Sequence, residues 1–368
     1  MLQQVQRAIE QRDAHLRRIL DWHFNPATGC QFWLEQKEVL GFDPREKVKT
    51  LEDLVQLFPN FDGDLHLRTV PASKWHPKGF ANCESWSMFD TGGTTGYPKR
   101  RWGRRGKNPD ESDYAWDYWQ FSKLLPEDGF PKGGSCVYIG PQGPRRLLLG
   151  VEVLAYIRQA GFIIVDMDVA WMKNNANTCE SAYKDELVKR AIGALRRDKP
   201  DWVFCPPVLI QAIGELFDWS TSGIKGVFAG GTEMSPESVR HIAENLFGGK
   251  IRFVPTFGNA LVGLAPPREL ATFHRPIAGQ RPYSVIYQPL QPRTILRVTK
   301  REDSRQLVDF DQRGFVEITT LTKEWFMPRF RERDMAERIA PTDQYPWDGV
   351  AEVGPPPEDR AKLKVGVY

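Results

Sequence analysis

The segment DTGGTTGYPKR at residues 90–100 carries the clearest chemical signal, because three glycines, three threonines and a lysine occur together. Clustered glycines allow backbone N–H groups to converge on an anion without obstruction by Cβ atoms. Threonine hydroxyls add donors, and the lysine adds a compact positive charge suited to phosphate. The candidate phosphate-binding residues are Thr91, Gly92, Gly93, Thr94, Thr95, Gly96 and Lys99. Among them, Lys99 and Thr94 are the candidate catalytic residues. The alternative to a phosphate-binding loop is a Gly-Thr turn with no role in binding.

The segment does not fit two common nucleotide-binding patterns. A Walker A loop requires lysine directly after glycine, whereas Tyr97 and Pro98 separate Gly96 from Lys99. The dinucleotide pattern G-x-G-x-x-G does not occur in it, and no strand–helix–strand unit is predicted around it. The sequence therefore argues against a P-loop nucleoside triphosphatase and against a dinucleotide site.

TGGTTGYPK at 91–99 resembles the phosphate loop T-[SG]-G-[ST]-T-G-x-P-K of the acyl-adenylate-forming (ANL) superfamily. Four further segments are similar to family motifs and follow in the family order: TLEDL at 50–54, AGGTEMSPE at 229–237, PTFGNALVG at 255–263 and VEITTLTKEWFMPRFRERD at 316–334. The resemblance is to the phenylacetate-CoA ligase-like branch. It implies the fold of the ANL large domain and ATP-dependent activation of a carboxylic acid.

The resemblance also implies roles for individual residues. Adenine would lie between the Gly-Gly turn at 229–237 and Phe257, Asp334 would bind the ribose hydroxyls, and Lys99 would hold the pyrophosphate. The nucleotide-binding candidates are Gly230, Gly231, Thr232, Glu233, Thr256, Phe257, Gly258 and Asp334. The candidates for the acid pocket are Gln142, Gly143, Asn259 and Ala260.

The sequence departs from the family pattern in three places. Leu261 stands where the family has a Mg²⁺-binding glutamate, and leucine has no oxygen for a hard cation; Glu233 is a candidate replacement ligand. Glu332 and Arg333 replace the Thr-Gly pair before Asp334. The sequence ends soon after Asp334, so we expect the small C-terminal domain, which carries the adenylation lysine, to be absent. Two alternatives stay open: a non-catalytic protein that binds ATP, AMP or an acyl-adenylate, and an aryl-CoA ligase.

The elements that must position these residues have an α/β pattern. Short apolar strands alternate with helical segments from about 137 to 258, which predicts parallel strands layered with helices. Alternating apolar residues after 280 predict an antiparallel β subdomain. We therefore expect an α/β core at 1–280, a β-rich subdomain at 281–340 and a C-terminal strap at 341–368.

Composition limits the partners of the protein. The net charge of +3 is small, so the basic run at 99–107 is interpreted as a solvated face or the rim of the phosphate site rather than a nucleic-acid surface. No apolar run is long enough to cross a membrane, and we expect a cytoplasmic protein. The expected ligands are ATP and an aromatic carboxylic acid, with a phenazine carboxylate as the specific candidate, and Mg²⁺ stays open as a cofactor. A downstream reductase or other acyl acceptor is the expected partner, and a homodimer is an open possibility.

Overall fold

A computed structural model describes residues 2–83, 85–91, 97–143, 145–168, 180–231, 233–269 and 282–360. The chain forms two compact units. The loop unit comprises Met1–Asp113, Ala260–Gly263 and Gln288–Pro356, and the parallel-sheet unit comprises Tyr114–Asn259, Leu264–Tyr287 and Pro357–Tyr368. The boundaries expected at residues 280 and 340 stay predictions.

The strands follow one another along the described residues as β1 (Trp86–Asp90), β2 (Arg100–Arg104), β3 (Ser135–Pro141), β4 (Gly161–Met167), β5 (Trp202–Phe204), β6 (Gly226–Ala229), β7 (Arg252–Pro255), β8 (Phe257–Asn259), β9 (Gly263–Ala265), β10 (Ile286–Tyr287), β11 (Thr294–Thr299), β12 (Arg313–Leu321), β13 (Phe326–Ile339) and β14 (Gly349–Gly354). The helices cover Leu2–Phe24, Gln31–Leu40, Pro44–Lys47, Leu51–Leu57, Gly63–Thr69, Asp113–Leu124, Arg146–Ile157, Glu180–Asp198, Pro207–Gly214, Pro236–Arg240 and Pro357–Arg360, with a π-helical turn at His241–Leu246 and short 3₁₀ turns at Ala72–Trp75, Lys78–Phe80 and Trp219–Thr221.

The parallel-sheet unit contains a sheet in the order β4-β3-β5-β6-β7, and every neighbouring pair in it is parallel. Its central strands β3, β5 and β6 are almost entirely buried, as is typical of strands inside a parallel sheet. Tyr138 stacks on Phe204 at 5.1 Å between ring centroids, and Phe228 lies 4.9 Å from Phe204. The predicted α/β class with parallel strands is confirmed.

The loop unit contains the antiparallel sheet that was predicted from the sequence after residue 280. Strands β14, β13, β12 and β11 are neighbours in that order, each antiparallel to the next. Residues 349–354, within the segment expected as a strap, form β14 and pair with β13. Strands β1 and β2 form a separate antiparallel hairpin. The predicted antiparallel component of the fold is therefore confirmed.

The N-terminal helices of the loop unit pack through aromatic side chains. Phe24 and Trp33 contact Phe326 with ring centroids 6.0 and 4.8 Å away, and the indole N–H of Trp33 donates to the carbonyl of Phe326. A capping box formed by Thr50 and Asp53 begins the helix Leu51–Leu57, which satisfies backbone N–H groups at the helix N-terminus. Within the described ranges, no helix is both long and apolar enough to span a lipid bilayer.

Acidification is expected to destabilise this packing through His23. Its Nε2–H donates to the carbonyl of Thr322 at 2.7 Å, its ring stacks on Phe326, and burial lowers its pKa to about 4. The folded state therefore binds fewer protons than the unfolded state between pH 6.5 and 4. Stability is lost as the pH falls through this window, by roughly 3 kcal/mol for this group.

Urea unfolding at pH 7 and pH 4.5 measures this loss. In the variant His23→Gln, whose amide can still donate to Thr322, the difference between the two pH values should shrink. His241→Gln, which changes an exposed histidine, is the control. An undiminished pH dependence in His23→Gln would contradict the assignment.

Candidate functional site

The predicted phosphate loop connects the two strands of the β1–β2 hairpin. Gly92, Gly93, Thr94, Thr95 and Gly96 lie outside the described residues, and their role in phosphate binding stays a prediction. There, the backbone N–H of Thr91 donates to the carbonyl of Lys99 at 2.9 Å, and the backbone N–H of Lys99 donates to Thr91 Oγ1 at 2.9 Å. These bonds close the base of the loop, so its two ends are fixed side by side.

The side chain of Lys99 lies over strand β13. Its Nζ is 5.4 Å from the ring centroid of Phe330 and 3.4 Å from Asp64 Oδ1. Strand β13 also carries Asp334, the predicted ribose ligand. The loop unit thus brings Lys99 to the strand on which Asp334 lies.

Asp334 lies at an irregular point of that strand. Phe315 pairs with Met335 and Glu317 pairs with Arg331, so the register shifts between these two pairs. A bulge of this kind changes the direction of side chains and occurs often next to functional sites. The shift falls on the segment where Glu332 and Arg333 depart from the family pattern. Asp334 itself is half-buried, and its role in ribose binding stays a prediction.

Two arginines anchor the hairpin through buried ion pairs. Arg101 Nη2 donates to Asp113 Oδ2 at 2.8 Å, and Arg104 Nε donates to Glu324 Oε1 at 3.0 Å. Glu324 also accepts the backbone N–H groups of Arg104 and Asp113. Burial, together with the nearby carboxylate of Asp113, raises the pKa of Glu324 to about 8. Glu324 lies far from β2 in the sequence, and Asp113 belongs to none of the predicted motifs. Sequence reasoning identified neither carboxylate.

The interpretation of the basic run as a solvated face or rim is wrong for Arg101. Its side chain is only 1% exposed and lies 5.6 Å from the ring centroid of Trp325. A charged side chain is buried in this way when carboxylates and carbonyls accept its hydrogen bonds. The sequence of the basic run gives no indication of these hydrogen-bond partners, because they lie in other segments of the chain.

Leu261 occupies the position where the resemblance implies a metal-binding glutamate. Its side chain is buried, at 1% exposure, and its carbonyl accepts a hydrogen bond from Arg101 Nη1 at 2.7 Å. Since Mg²⁺ requires oxygen ligands, the hydrocarbon side chain at this position does not fit a Mg²⁺ site. Glu233 is exposed and belongs to the parallel-sheet unit, and its role as a replacement ligand stays a prediction.

The predicted adenine segments meet at one end of the parallel sheet. Thr256, which follows β7, donates both its backbone N–H and its hydroxyl to the carbonyl of Ala229, the last residue of β6. A Cβ atom at Gly230 would come within 2.7 Å of Thr256 Oγ1, so this position requires glycine. Gly231 has φ +96°, which also favours glycine. Thr232 lies outside the described residues.

The remaining predicted residues of this unit lie at the same edge of the sheet. Gln142 and Gly143 follow the carboxyl end of β3 and are exposed. Phe257 and Gly258 begin β8 just after β7, and the ring of Phe257 lies 5.9 Å from that of Tyr287. In parallel sheets, ligands bind at the carboxyl ends of the strands. Sequence-distant candidates after β3, β6 and β7 are thus brought to one edge.

Asn259 and Ala260, the other predicted pocket residues, are consecutive in sequence but belong to different units. Asn259 ends β8 and is exposed, whereas Ala260 is half-buried. Ala260 begins the short segment Ala260–Gly263 of the loop unit, which also contains Leu261. The structure therefore assigns the predicted site residues to two separate groups, one in each unit.

No protein-family model and no curated protein sequence matches this chain. Among solved structures, 2-hydroxyisobutyryl-CoA ligase in the postadenylation state, in complex with R3-HIB-AMP, has a TM-score of 0.67 at 14% sequence identity, covering 95% of this chain and 67% of that chain. The same ligase with 2-HIB-AMP and CoA in the thioesterification state has a TM-score of 0.66 at 15% identity, covering 95% and 68%. Its open conformation has a TM-score of 0.62 at 16% identity, covering 92% and 72%. Along 95% of its length, this chain therefore shares the fold of 2-hydroxyisobutyryl-CoA ligase.

Proposed function

We propose that this chain is an acyl-adenylate-forming enzyme of the phenylacetate-CoA ligase-like branch, and that it converts ATP and a carboxylic acid into an acyl-AMP and pyrophosphate. The observation that carries the proposal is the coincidence of fold and motif. The chain shares its fold with an acyl-CoA ligase over 95% of its length, and TGGTTGYPK lies between the two strands of the β1–β2 hairpin, where Thr91 and Lys99 are hydrogen-bonded to each other. The order of the other motifs supports the same function.

The proposed reaction depends on positioning and charge. A carboxylate oxygen of the acid forms a bond to the α-phosphorus of ATP, and the bond from that phosphorus to the bridging oxygen breaks as pyrophosphate leaves. Because an anion must approach a polyanion, neutralisation of charge lowers the barrier most. Lys99 and the loop donors would hold the departing pyrophosphate. Residues after β6 and β7 would hold adenine, and Asp334 the ribose.

The substrate in this proposal is an aromatic acid. A phenazine carboxylate is the specific candidate, because a large domain of this kind is similar to the adenylating protein of phenazine antibiotic biosynthesis. The acyl group would pass to a separate reductase, carrier or acyltransferase in secondary metabolism. We also propose a cytoplasmic location and a homodimer as the assembly to test first.

Exchange of radiolabelled pyrophosphate into ATP tests the proposed reaction. The protein should catalyse exchange only when a suitable acid is present, and a panel of benzoates, phenylacetates and phenazine carboxylates would identify the acid. Addition of CoA separates the aryl-CoA ligase alternative, because only a ligase would form a thioester. If no acid supports exchange while ATP or AMP binds, the protein is not an adenylating enzyme.

The second candidate function is non-catalytic binding of ATP, AMP or an acyl-adenylate. The observation that favours it is Leu261, whose buried hydrocarbon side chain replaces a metal-binding carboxylate. A binding protein needs no such ligand. The exchange assay above separates the two functions, since a binding protein retains nucleotide affinity but shows no turnover.

Asp334→Asn is expected to weaken the binding of ATP and AMP alike, by about 10- to 100-fold. An ionised carboxylate accepts both ribose O–H groups, whereas an amide has one acceptor oxygen, and hydrogen bonds to charged groups contribute about 1.5–3 kcal/mol. Calorimetric titration with each nucleotide measures the change. Asp309→Asn, an exposed aspartate between β11 and β12, is the control. Unchanged AMP affinity in Asp334→Asn would remove Asp334 from the site.

A further inference from the structure

The loop lysine shares its counter-ion with an arginine from another element. Asp64 Oδ1 lies 3.4 Å from Lys99 Nζ and 2.9 Å from Arg68 Nη2. Asp64 and Arg68 are one turn apart on the helix Gly63–Thr69, a spacing at which oppositely charged side chains meet. One carboxylate oxygen therefore holds two positive groups beside the end of the predicted phosphate loop.

The helix that carries Arg68 has a defined position beside Lys99. A Cβ atom at Gly63, its first residue, would come within 2.5 Å of Cε2 of Phe330. Only glycine allows the backbone to approach this ring so closely. Since Lys99 lies over the same buried ring, Phe330 sets the distance between the lysine and the helix.

The carboxylate is the most solvated member of the group. The side chain of Asp64 is 63% exposed, whereas those of Lys99 and Arg68 are 14% and 22% exposed. An ion pair with a solvated carboxylate contributes little free energy. A triphosphate, with several negative charges, can therefore take the place of Asp64 at low cost.

We propose that Arg68 is a phosphate-binding residue of this site and that Asp64 is the counter-ion that the phosphates displace. The ligand is the triphosphate of the nucleotide or free pyrophosphate, and the inference rests on the proposed function. The planar guanidinium of arginine binds phosphate oxygens in pairs, which a lysine cannot do. The hydrocarbon side chain of Leu261 supplies no ligand for a metal ion at the position where the resemblance implies a carboxylate. A second cationic side chain beside Lys99 would supply part of the positive charge that a metal ion would contribute there.

Calorimetric titration of the full chain with ATP, AMP and inorganic pyrophosphate tests the proposal. Arg68→Gln should weaken ATP and pyrophosphate binding about tenfold and leave AMP affinity within about twofold. Arg68→Lys should show a smaller loss, because it retains the charge but not the paired donors. Asp64→Asn should tighten pyrophosphate binding about threefold, since the competing charge is removed.

The pair of Arg197 and Asp198 on the helix Glu180–Asp198 offers matched controls. Arg197→Gln and Asp198→Asn should leave all three affinities unchanged. Equal losses of ATP and AMP affinity in Arg68→Gln would indicate a structural role and overturn the proposal. Unchanged pyrophosphate affinity in Arg68→Gln would overturn it as well.

The result separates this inference from the proposed function. Pyrophosphate binding that depends on Arg68, without acid-dependent exchange, would refute adenylation and retain Arg68 as a phosphate ligand. Exchange that is insensitive to Arg68→Gln would refute only the role of Arg68. If neither ATP nor pyrophosphate binds the unmodified protein, both are wrong.

Discussion

Replacing Glu317 by glutamine is expected to lower the free energy of unfolding by about 3–5 kcal/mol. The Glu317 side chain is fully buried, and it accepts hydrogen bonds from Arg297, Arg329 and the amide of Asn60. Glutamine keeps the shape but removes the negative charge. Two buried guanidinium groups would then lack their carboxylate, and uncompensated buried charge is among the costliest defects in a protein core.

The hydrogen bonds of Arg329 explain why the loss of stability in Glu317→Gln is expected to extend beyond the sheet. It is only 1% exposed, and its Nη1 also donates to the carbonyls of Val55 and Phe58 at 2.8 and 2.7 Å. These bonds connect strand β13 to the end of the helix Leu51–Leu57. A disturbed Arg329 therefore loosens the N-terminal helices as well as the sheet.

Urea unfolding followed by circular dichroism measures the effect. Glu35→Gln is the control, because Glu35 pairs with Lys74 at the surface and surface pairs contribute little. The control should change stability only slightly. A loss below about 1 kcal/mol in Glu317→Gln would show that Arg297 and Arg329 do not need this carboxylate.

Lys99→Ala is expected to reduce pyrophosphate exchange by about 100- to 1000-fold. In the proposed reaction, Lys99 neutralises charge on the departing pyrophosphate, and loss of one such group typically costs this factor. ATP affinity should fall with it, while AMP affinity should change little, because AMP lacks the two outer phosphates. This pattern differs from that expected for Asp334→Asn, which should weaken the binding of ATP and AMP alike.

Lys74→Ala is the matched control, since Lys74 pairs with Glu35 away from any predicted motif. It should retain full exchange activity. If Lys99→Ala weakened AMP and ATP binding equally, the lysine would contribute to the fold rather than to pyrophosphate binding. Thermal unfolding of both variants would separate these effects.

The sequence by itself determined the class of the fold. Apolar periodicity predicted the alternating strands and helices, and the parallel and antiparallel sheets confirm that prediction. The capping box of Thr50 is local in the same way, because its partner Asp53 is only three residues away. The phosphate-loop pattern was equally readable, since its glycines, threonines and lysine are contiguous. All these signals depend on neighbours in sequence.

Only the tertiary structure decided which charged residues surround these motifs. Asp113 and Glu324 anchor Arg101 and Arg104, and Glu317 pairs with Arg297 and Arg329. Asp64 contacts both Lys99 and Arg68 where its helix packs on Phe330. The type of a charged residue does not show whether its side chain is solvated or buried in an ion pair. What differs is the partner that the fold supplies from a distant segment, and no local pattern encodes that partner.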